Sequence, residues 1–143
     1  MGLAKTLVEP FSILASSNPK KDLLLKEVPG LYSPANSCEL LASGKVGKYV
    51  PNADFIFPCA YAVANDEKSR GIILGGSGQG EAMAANRVKG IRAAVFYNGP
   101  EDIIKLSRQH NNANVVVLPG QFIPNDMAYK IVRTFMDTRY DQW

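Results

Sequence analysis

The stretch Gly71-Ile72-Ile73-Leu74-Gly75-Gly76-Ser77-Gly78-Gln79-Gly80-Glu81 is an apolar run that enters a glycine-rich turn and ends on a carboxylate. A turn of that composition points backbone N–H groups at whatever sits above it, and such a cradle holds developing negative charge. A carboxylate beside it can move a proton. Two nucleotide readings fail on spacing. A P-loop needs Lys after its last glycine, whereas Glu81 follows Gly80 and would repel a triphosphate. The dinucleotide fingerprint G-x-G-x-x-G is not completed either, because Gly76 and Gly78 lead to Glu81, and Gly78 and Gly80 lead to Met83. What remains is an N–H nest that opens a helix, with Glu81 in the first turn. That position also has a plain structural meaning, since a carboxylate there is stabilised by the helix dipole by roughly 0.3–1 kcal/mol. His110, the only histidine, is open to the same two readings: it complements a helix C-terminus before the stop at Asn111-Asn112, or it serves as an acid–base group. Arg87, Lys89 and Arg92 read as solvated or salt-bridged cations.

Stepwise alternation of apolar and amphipathic segments supplies the frame that must position these residues. Short apolar runs at 71–74, 91–96 and 114–118 suit strands buried on both faces. Segments 81–88, 101–110 and 125–139 carry helical spacing, for example Ile103, Ile104 and Leu106, or Ile131, Val132, Phe135 and Met136. The order is βαβαβα, which implies parallel strands with helical crossovers and ligands bound beyond the strands' carboxyl ends. The glycine turn lies at such an end. Upstream, 12–16 reads as a buried strand, and Pro19 as the first position of a helix through Leu23, Leu24 and Leu25 to Val28. The breakers in 29–51 leave room for a short helix around 38–42 and a strand near 46–50. Helical spacing resumes over 52–64, with Pro58 tolerable only near the first turn.

The totals restrict the classes of function. A chain of 143 residues with 46% apolar composition fits one compact domain, residues 1–143, without disulfides or metals. The net charge of +3 arises from 16 basic and 13 acidic residues spread along the chain, not gathered in the stripe a nucleic-acid protein carries. It suits a small phosphorylated ligand better than a polyanion. Cys38 and Cys59 have no metal-binding or redox spacing, so reduced thiols in the cytoplasm are expected. No apolar run approaches the ~20 residues that span a bilayer, and the N-terminus lacks a signal-peptide pattern. A soluble protein with no membrane partner is expected.

The glycine turn continues as Glu81-Ala82-Met83-Ala84-Ala85-Asn86-Arg87-Val88-Lys89-Gly90-Ile91-Arg92-Ala93-Ala94, and is followed by Ser107-Arg108-Gln109-His110-Asn111-Asn112-Ala113-Asn114-Val115. The two blocks, in this order and separation, resemble the type B ribose-5-phosphate isomerases and the related galactose-6-phosphate isomerase subunits, over about two-thirds of the chain. The resemblance implies an α/β fold: a three-layer α/β/α sandwich with a mostly parallel, Rossmann-like sheet of about five strands. It implies a homodimer with active sites shared between subunits, acting on a small-molecule sugar phosphate as an aldose–ketose isomerase with no metal or organic cofactor. One branch of that family uses a cysteine base at the position of Gly75, and another reads Gly-Gly-Ser-Gly-x-Gly-Glu with the glutamate as base; this chain is of the second kind. By resemblance, Glu81 shuttles the proton and His110 assists ring opening. Gly76, Ser77, Gly78 and Gly80, with Asn111, hold the enediolate, and Asn86 supports the loop.

Three departures concern the phosphate. The family's first strand leads into Asp-His-Ala-Gly, where this chain has Asn18 and Pro19. Pro119-Gly120-Gln121 replaces a common Gly-x-Arg whose arginine lies near the phosphate, and the sequence reaches Trp143 about where members continue into a basic tail. Charge-assisted bonds of that kind contribute about 1.5–3 kcal/mol each. Replacement contacts from Lys20, Lys21, Lys45 or Lys48 are one resolution. A different substrate, such as an unphosphorylated sugar, is another, and a catalytically weak member, serving as a sugar-binding module or one subunit of a hetero-oligomer, is the third. The residues do not choose between pentose and hexose phosphate.

Overall fold

A computed structural model describes the backbone of residues 12–16 and 39–41 and all of residues 56–141. The elements are β1 (Ser12–Ser16), β2 (Glu39–Leu41), α1 (Ile56–Ala64), β3 (Arg70–Gly75), α2 (Gln79–Ala85), β4 (Ala93–Val95), α3 (Asp102–Gln109), β5 (Val115–Pro119) and α4 (Asn125–Asp137). The five strands form one parallel sheet in the order β2-β1-β3-β5-β4. Every residue of β3 and of β5 is buried, as their uninterrupted apolar runs require.

Successive side chains of a strand point to opposite faces, and the core divides accordingly. Ile72 and Leu74 of β3, with Val116 and Leu118 of β5, pack on Ile104 of α3 and on Ile131, Val132 and Phe135 of α4. Ile73, Val115 and Val117 face the other way, onto Ile56, Cys59, Ala60 and Val63 of α1 and Ala82 and Ala85 of α2. This is a three-layer α/β/α arrangement. A Cβ on Gly71 would sit 3.1 Å from Cys59 Sγ and 3.2 Å from a Val63 methyl, so the missing side chain lets α1 lie close on the sheet.

The helix expected around 38–42 is corrected: Glu39–Leu41 is an edge strand, with Ile13, Leu14 and Ala15 of β1 paired in parallel to Glu39, Leu40 and Leu41. Three residues are too few for any period to show, and pairing to a distant strand decides their state. The helix expected from Pro19 to Val28 and the strand near 46–50 lie outside the described residues. Pro58 occupies the third position of α1, within the first turn, where no intrahelical N–H bond is lost. No helix among the described residues is long and apolar enough to cross a membrane.

Ile73 is fully buried between the layers, whereas Met83 on α2 is 66% exposed. Ile73→Ala is expected to lower the unfolding free energy by about 2–5 kcal/mol, and Met83→Ala by no more than about 0.5 kcal/mol. Urea denaturation curves of the two variants measure both.

Candidate active site

The glycine turn starts where the β3–β5 ladder stops, at the pair Gly75 and Pro119. Two further bonds extend that ladder into the turn: Gly120 N–H donates to the Gly75 carbonyl at 2.8 Å, and Gln121 N–H donates to the Gly76 carbonyl at 3.2 Å. Gly78 then takes φ +81°, the left-handed region in which only glycine is unstrained. A side chain there would also press on Val117 and on the Pro119 nitrogen. Its carbonyl accepts the Ala82 N–H and so starts α2, while Ser77 Oγ accepts the Gln79 N–H at 3.3 Å. Among the described residues, no acceptor is taken by the N–H groups of Gly76, Ser77, Gly78 or Gly80. The turn is therefore a set of uncommitted donors at a helix N-terminus.

Glu81 lies in the first turn of α2 and is only 8% exposed. Its carboxyl is folded back over the end of β3: a Cβ built on Gly75 would collide with Glu81 Oε1, Cδ and Cγ. The carboxylate thus occupies the space a side chain at position 75 would fill. Beside it, the Gln121 amide comes within 3.4 Å of where a Cβ on Gly76 would be, so the residue replacing an expected arginine borders the turn as a neutral group.

The other expected site residues lie elsewhere. Asn86 caps the far end of α2 and clasps β4, its Oδ1 accepting the Ala93 N–H at 2.8 Å and its Nδ2 donating to the Ala93 carbonyl at 3.1 Å. It braces the α2–β4 connection, and its side-chain hydrogen bonds go to Ala93 rather than to the glycine turn. His110 is the C-cap of α3, with its N–H on the Leu106 carbonyl, and both His110 and Asn111 are exposed. The chain reverses through Asn112 at φ +51° and enters β5 at Val115, which pairs with Gly71. His110 therefore sits at the edge where β3 and β5 begin, and Glu81 at the edge where they end. At about 3.3 Å per strand residue, the four steps from Gly71 to Gly75 alone separate them by roughly 13 Å. One chain does not bring the two together.

Arg92, expected to be solvated or salt-bridged, is exposed but makes no ion pair among the described residues; it donates from Nε to the Asn112 carbonyl and from Nη1 to the Gly90 carbonyl. Two buried cations escaped notice: Arg70, at the head of β3, and Arg108, on the buried face of α3. Arg108 follows Ile104 at i+4, a helical spacing that places a cation on a core-facing stripe. Cys59 packs in the core, and burial pushes its thiol up to about 12, which removes it as a nucleophile. No cluster of three or more His, Cys, Asp or Glu side chains that could hold a metal occurs among the described residues.

Residues 32–143 match the family described as Ribose/Galactose Isomerase. The chain belongs to that family. Among related ribose/galactose isomerase sequences, a probable ribose-5-phosphate isomerase B of Mycoplasma genitalium is 40% identical over 89 residues, 62% of this chain and 57% of that protein. The ribose-5-phosphate isomerase B of Mycolicibacterium paratuberculosis is 36% identical over 88 residues, 62% of this chain and 54% of its own. The matched segment spans a little over half the length of these relatives. Solved structures align more widely: the type B ribose 5-phosphate isomerase of Trypanosoma cruzi superposes with a TM-score of 0.77 at 25% identity, over 93% of this chain and 88% of that one. The Mycoplasma genitalium enzyme with bound ribulose-5-phosphate superposes with a TM-score of 0.73 at 30% identity, over the same shares.

The fit of the Glu81 carboxyl over Gly75 can be tested without any substrate. Gly75→Ala should cost about 1–3 kcal/mol of stability by overpacking, and should cost at least about 1 kcal/mol less when Glu81→Ala is already present. A double-mutant cycle from urea melts reads the coupling, and equal costs in both backgrounds would contradict the contact.

Proposed function

We propose that this chain is one subunit of a homodimeric isomerase that interconverts a phosphorylated aldose, ribose 5-phosphate or a hexose 6-phosphate, with the matching ketose through a cis-enediolate. The observation that carries this reading is the Glu81 carboxylate lying over the bare end of β3, beside a turn of N–H donors without acceptors. Relatives of this family are named ribose-5-phosphate isomerase B, and one of them was solved with ribulose-5-phosphate bound.

In this reaction the Glu81 carboxylate takes the proton from C2 of the open-chain aldose. Charge then builds on O1, where the N–H groups of Gly76, Ser77, Gly78 and Gly80 donate to it in a partly water-excluded turn. Return of the proton to C1, with the O2 proton passed to O1, yields the ketose. Ring opening needs an acid at the ring oxygen, and the His110 imidazole is a group that can give and take a proton. Because His110 and Asn111 occupy the opposite sheet edge of their own chain, they serve the site of the other subunit: each cleft combines Glu81 of one protomer with His110 of the partner subunit. Apolar runs too short to span a bilayer and cysteines without metal or redox spacing favour work in the cytoplasm.

The neutral Gln121 amide beside Gly76 favours one second reading, a member with a weakened phosphate grip that binds sugars or lends residues to a different subunit. Solvent-hydrogen exchange into ribose 5-phosphate and galactose 6-phosphate separates the two. Exchange at C2 is expected for the isomerase, and its absence with both substrates favours the binding module.

Glu81→Gln should lower kcat by roughly 10²–10⁴-fold, the range for loss of a general base. Mixing inactive Glu81→Gln and His110→Ala subunits should restore about a quarter of the wild-type activity. Half of the dimers are then mixed, and each of these holds one site with both native groups. A mixture no more active than its parents would place both groups of a site in one chain.

A further inference from the structure

Arg70, Arg92 and Arg108 line a single cavity of about 560 Å3 at the edge of the sheet where β3 and β5 begin; Asn112 and Tyr140 add polar groups to its wall, and Glu67 is the one carboxylate in the lining. Arg70 and Arg108 are 8% and 4% exposed, and their guanidinium carbons lie 5.9 and 5.7 Å from the centre of the Phe135 ring. Their known bonds go to neutral acceptors. Arg70 Nη1 donates to the carbonyls of Phe135 and Met136 at the end of α4, at 2.8 and 2.7 Å. Arg108 donates from Nε to the Thr138 carbonyl and from Nη1 to Asn112 Oδ1 and the Ala113 carbonyl. With the Arg92 bonds to Asn112 and Gly90, these contacts hold the ends of α3 and α4 to the sheet, and they use only part of each fork.

Among the described residues, Nη2 of all three arginines has no acceptor, and none of the three is in an ion pair. Asp137 acts on Arg70 as a compensating acid, but among the described residues its buried Oδ1 has no hydrogen-bond partner, and burial holds its carboxyl above the usual range. The excess positive charge is felt by the cations themselves. Burial, followed by repulsion from Arg108, pulls the Arg70 guanidinium down to about 9, and burial, followed by Arg92, pulls Arg108 down to about 10. Both remain charged at neutral pH. Buried charges are normally paired, and three guanidinium forks facing one small cavity match the oxygens of a phosphate. A volume of this size suits a small organic ligand.

We propose that this cavity is a second binding site, separate from the Glu81 cleft, for a small phosphate monoester whose phosphate bridges Arg70, Arg92 and Arg108. It lies at the opposite end of β3 from Glu81. Arg108 and Asn112, four positions apart, line it; His110, two positions from each, belongs to another face of the turn. The phosphate offsets most of the charge of the three cations and ties α3, the start of β3 and the start of β4 through one ligand.

Glycerol 3-phosphate is the probe, followed by calorimetric titration and by amide shifts of the isotopically labelled protein. Saturable binding with a dissociation constant below about 1 mM is expected, with shifts gathered at Arg70, Arg92, Asn112 and Tyr140. Arg92→Ala, a change at an exposed residue, should weaken binding roughly tenfold or more. Glu67→Gln, which removes the carboxylate from the wall, should strengthen it, and Glu81→Gln should leave it unchanged. Shifts confined to 75–81, an affinity insensitive to both Arg92→Ala and Glu67→Gln, or no saturation by about 10 mM would overturn the site. Because Glu67→Gln is a gain of affinity, a fold damaged by Arg92→Ala does not shield the proposal.

Discussion

The register that sets Gly71 beside Val115 and Gly75 beside Pro119 fixes both ends of the central layer at once. Two parallel strands buried on both faces cannot slip by one residue without exchanging every core side chain between layers. Here the exchange would move Ile72 and Leu74 away from α4 and Ile73 onto it. The ladder is thereby locked, and the groups hung on its ends inherit their places from it. Past Pro119, the bonds from Gly120 and Gln121 to the carbonyls of Gly75 and Gly76 hold the glycine turn in position. Before Val115, the turn through Asn112 brings Arg108 and His110 to the other edge.

At the carboxyl edge, what matters most is a missing side chain. Gly75 leaves a gap at the strand end that the Glu81 carboxyl fills, and Gly78 supplies the left-handed turn that brings α2 back over the strand. A carboxylate delivered this way from the following helix needs no side chain of its own on the strand. It also stands where a side chain borne by residue 75 itself would stand, so the two ways of placing a functional group at this turn are mutually exclusive. Either a side chain grows from position 75, or that space is left open for a carboxylate six residues later.

Much of this frame was legible in the residues because the strongest signals were uniform. The buried strands carry unbroken apolar runs at 72–74 and 115–118, and the helices over 101–110 and 125–139 carry apolar stripes that the observed α3 and α4 follow within two residues. The edge strand Glu39–Leu41 was not legible, since three residues express no period and their partner is far away in sequence. The arginines were missed for a different reason. A cation beside an apolar pattern reads as solvated by default, and only the distant carbonyls of α4 reveal why Arg70 can be buried. The opposite placement of Glu81 and His110, by contrast, was written in the element order. A residue that follows a strand lies at its carboxyl edge, and a residue that leads into the next parallel strand lies at the amino edge.

That separation bears on how such a site can work. Within one chain, a carboxylate and an imidazole roughly 13 Å or more apart neither neutralise one another nor share a substrate. Two-fold association is the symmetric way to bring an amino edge of one sheet against a carboxyl edge of another, and it forms two identical clefts in one step. In the proposed dimer catalysis is conditional on assembly, because the turn holding Glu81 forms only one wall of the cleft and the second subunit supplies the other. In that dimer closure withdraws the N–H donors from water, and in the drier cleft their interaction with an enediolate oxygen is worth more than in the open turn. With a neutral Gln121 at that wall, Glu81 is in no ion pair among the described residues. In the proposed site the positive charge needed by a phosphate then comes from the far side of the cleft.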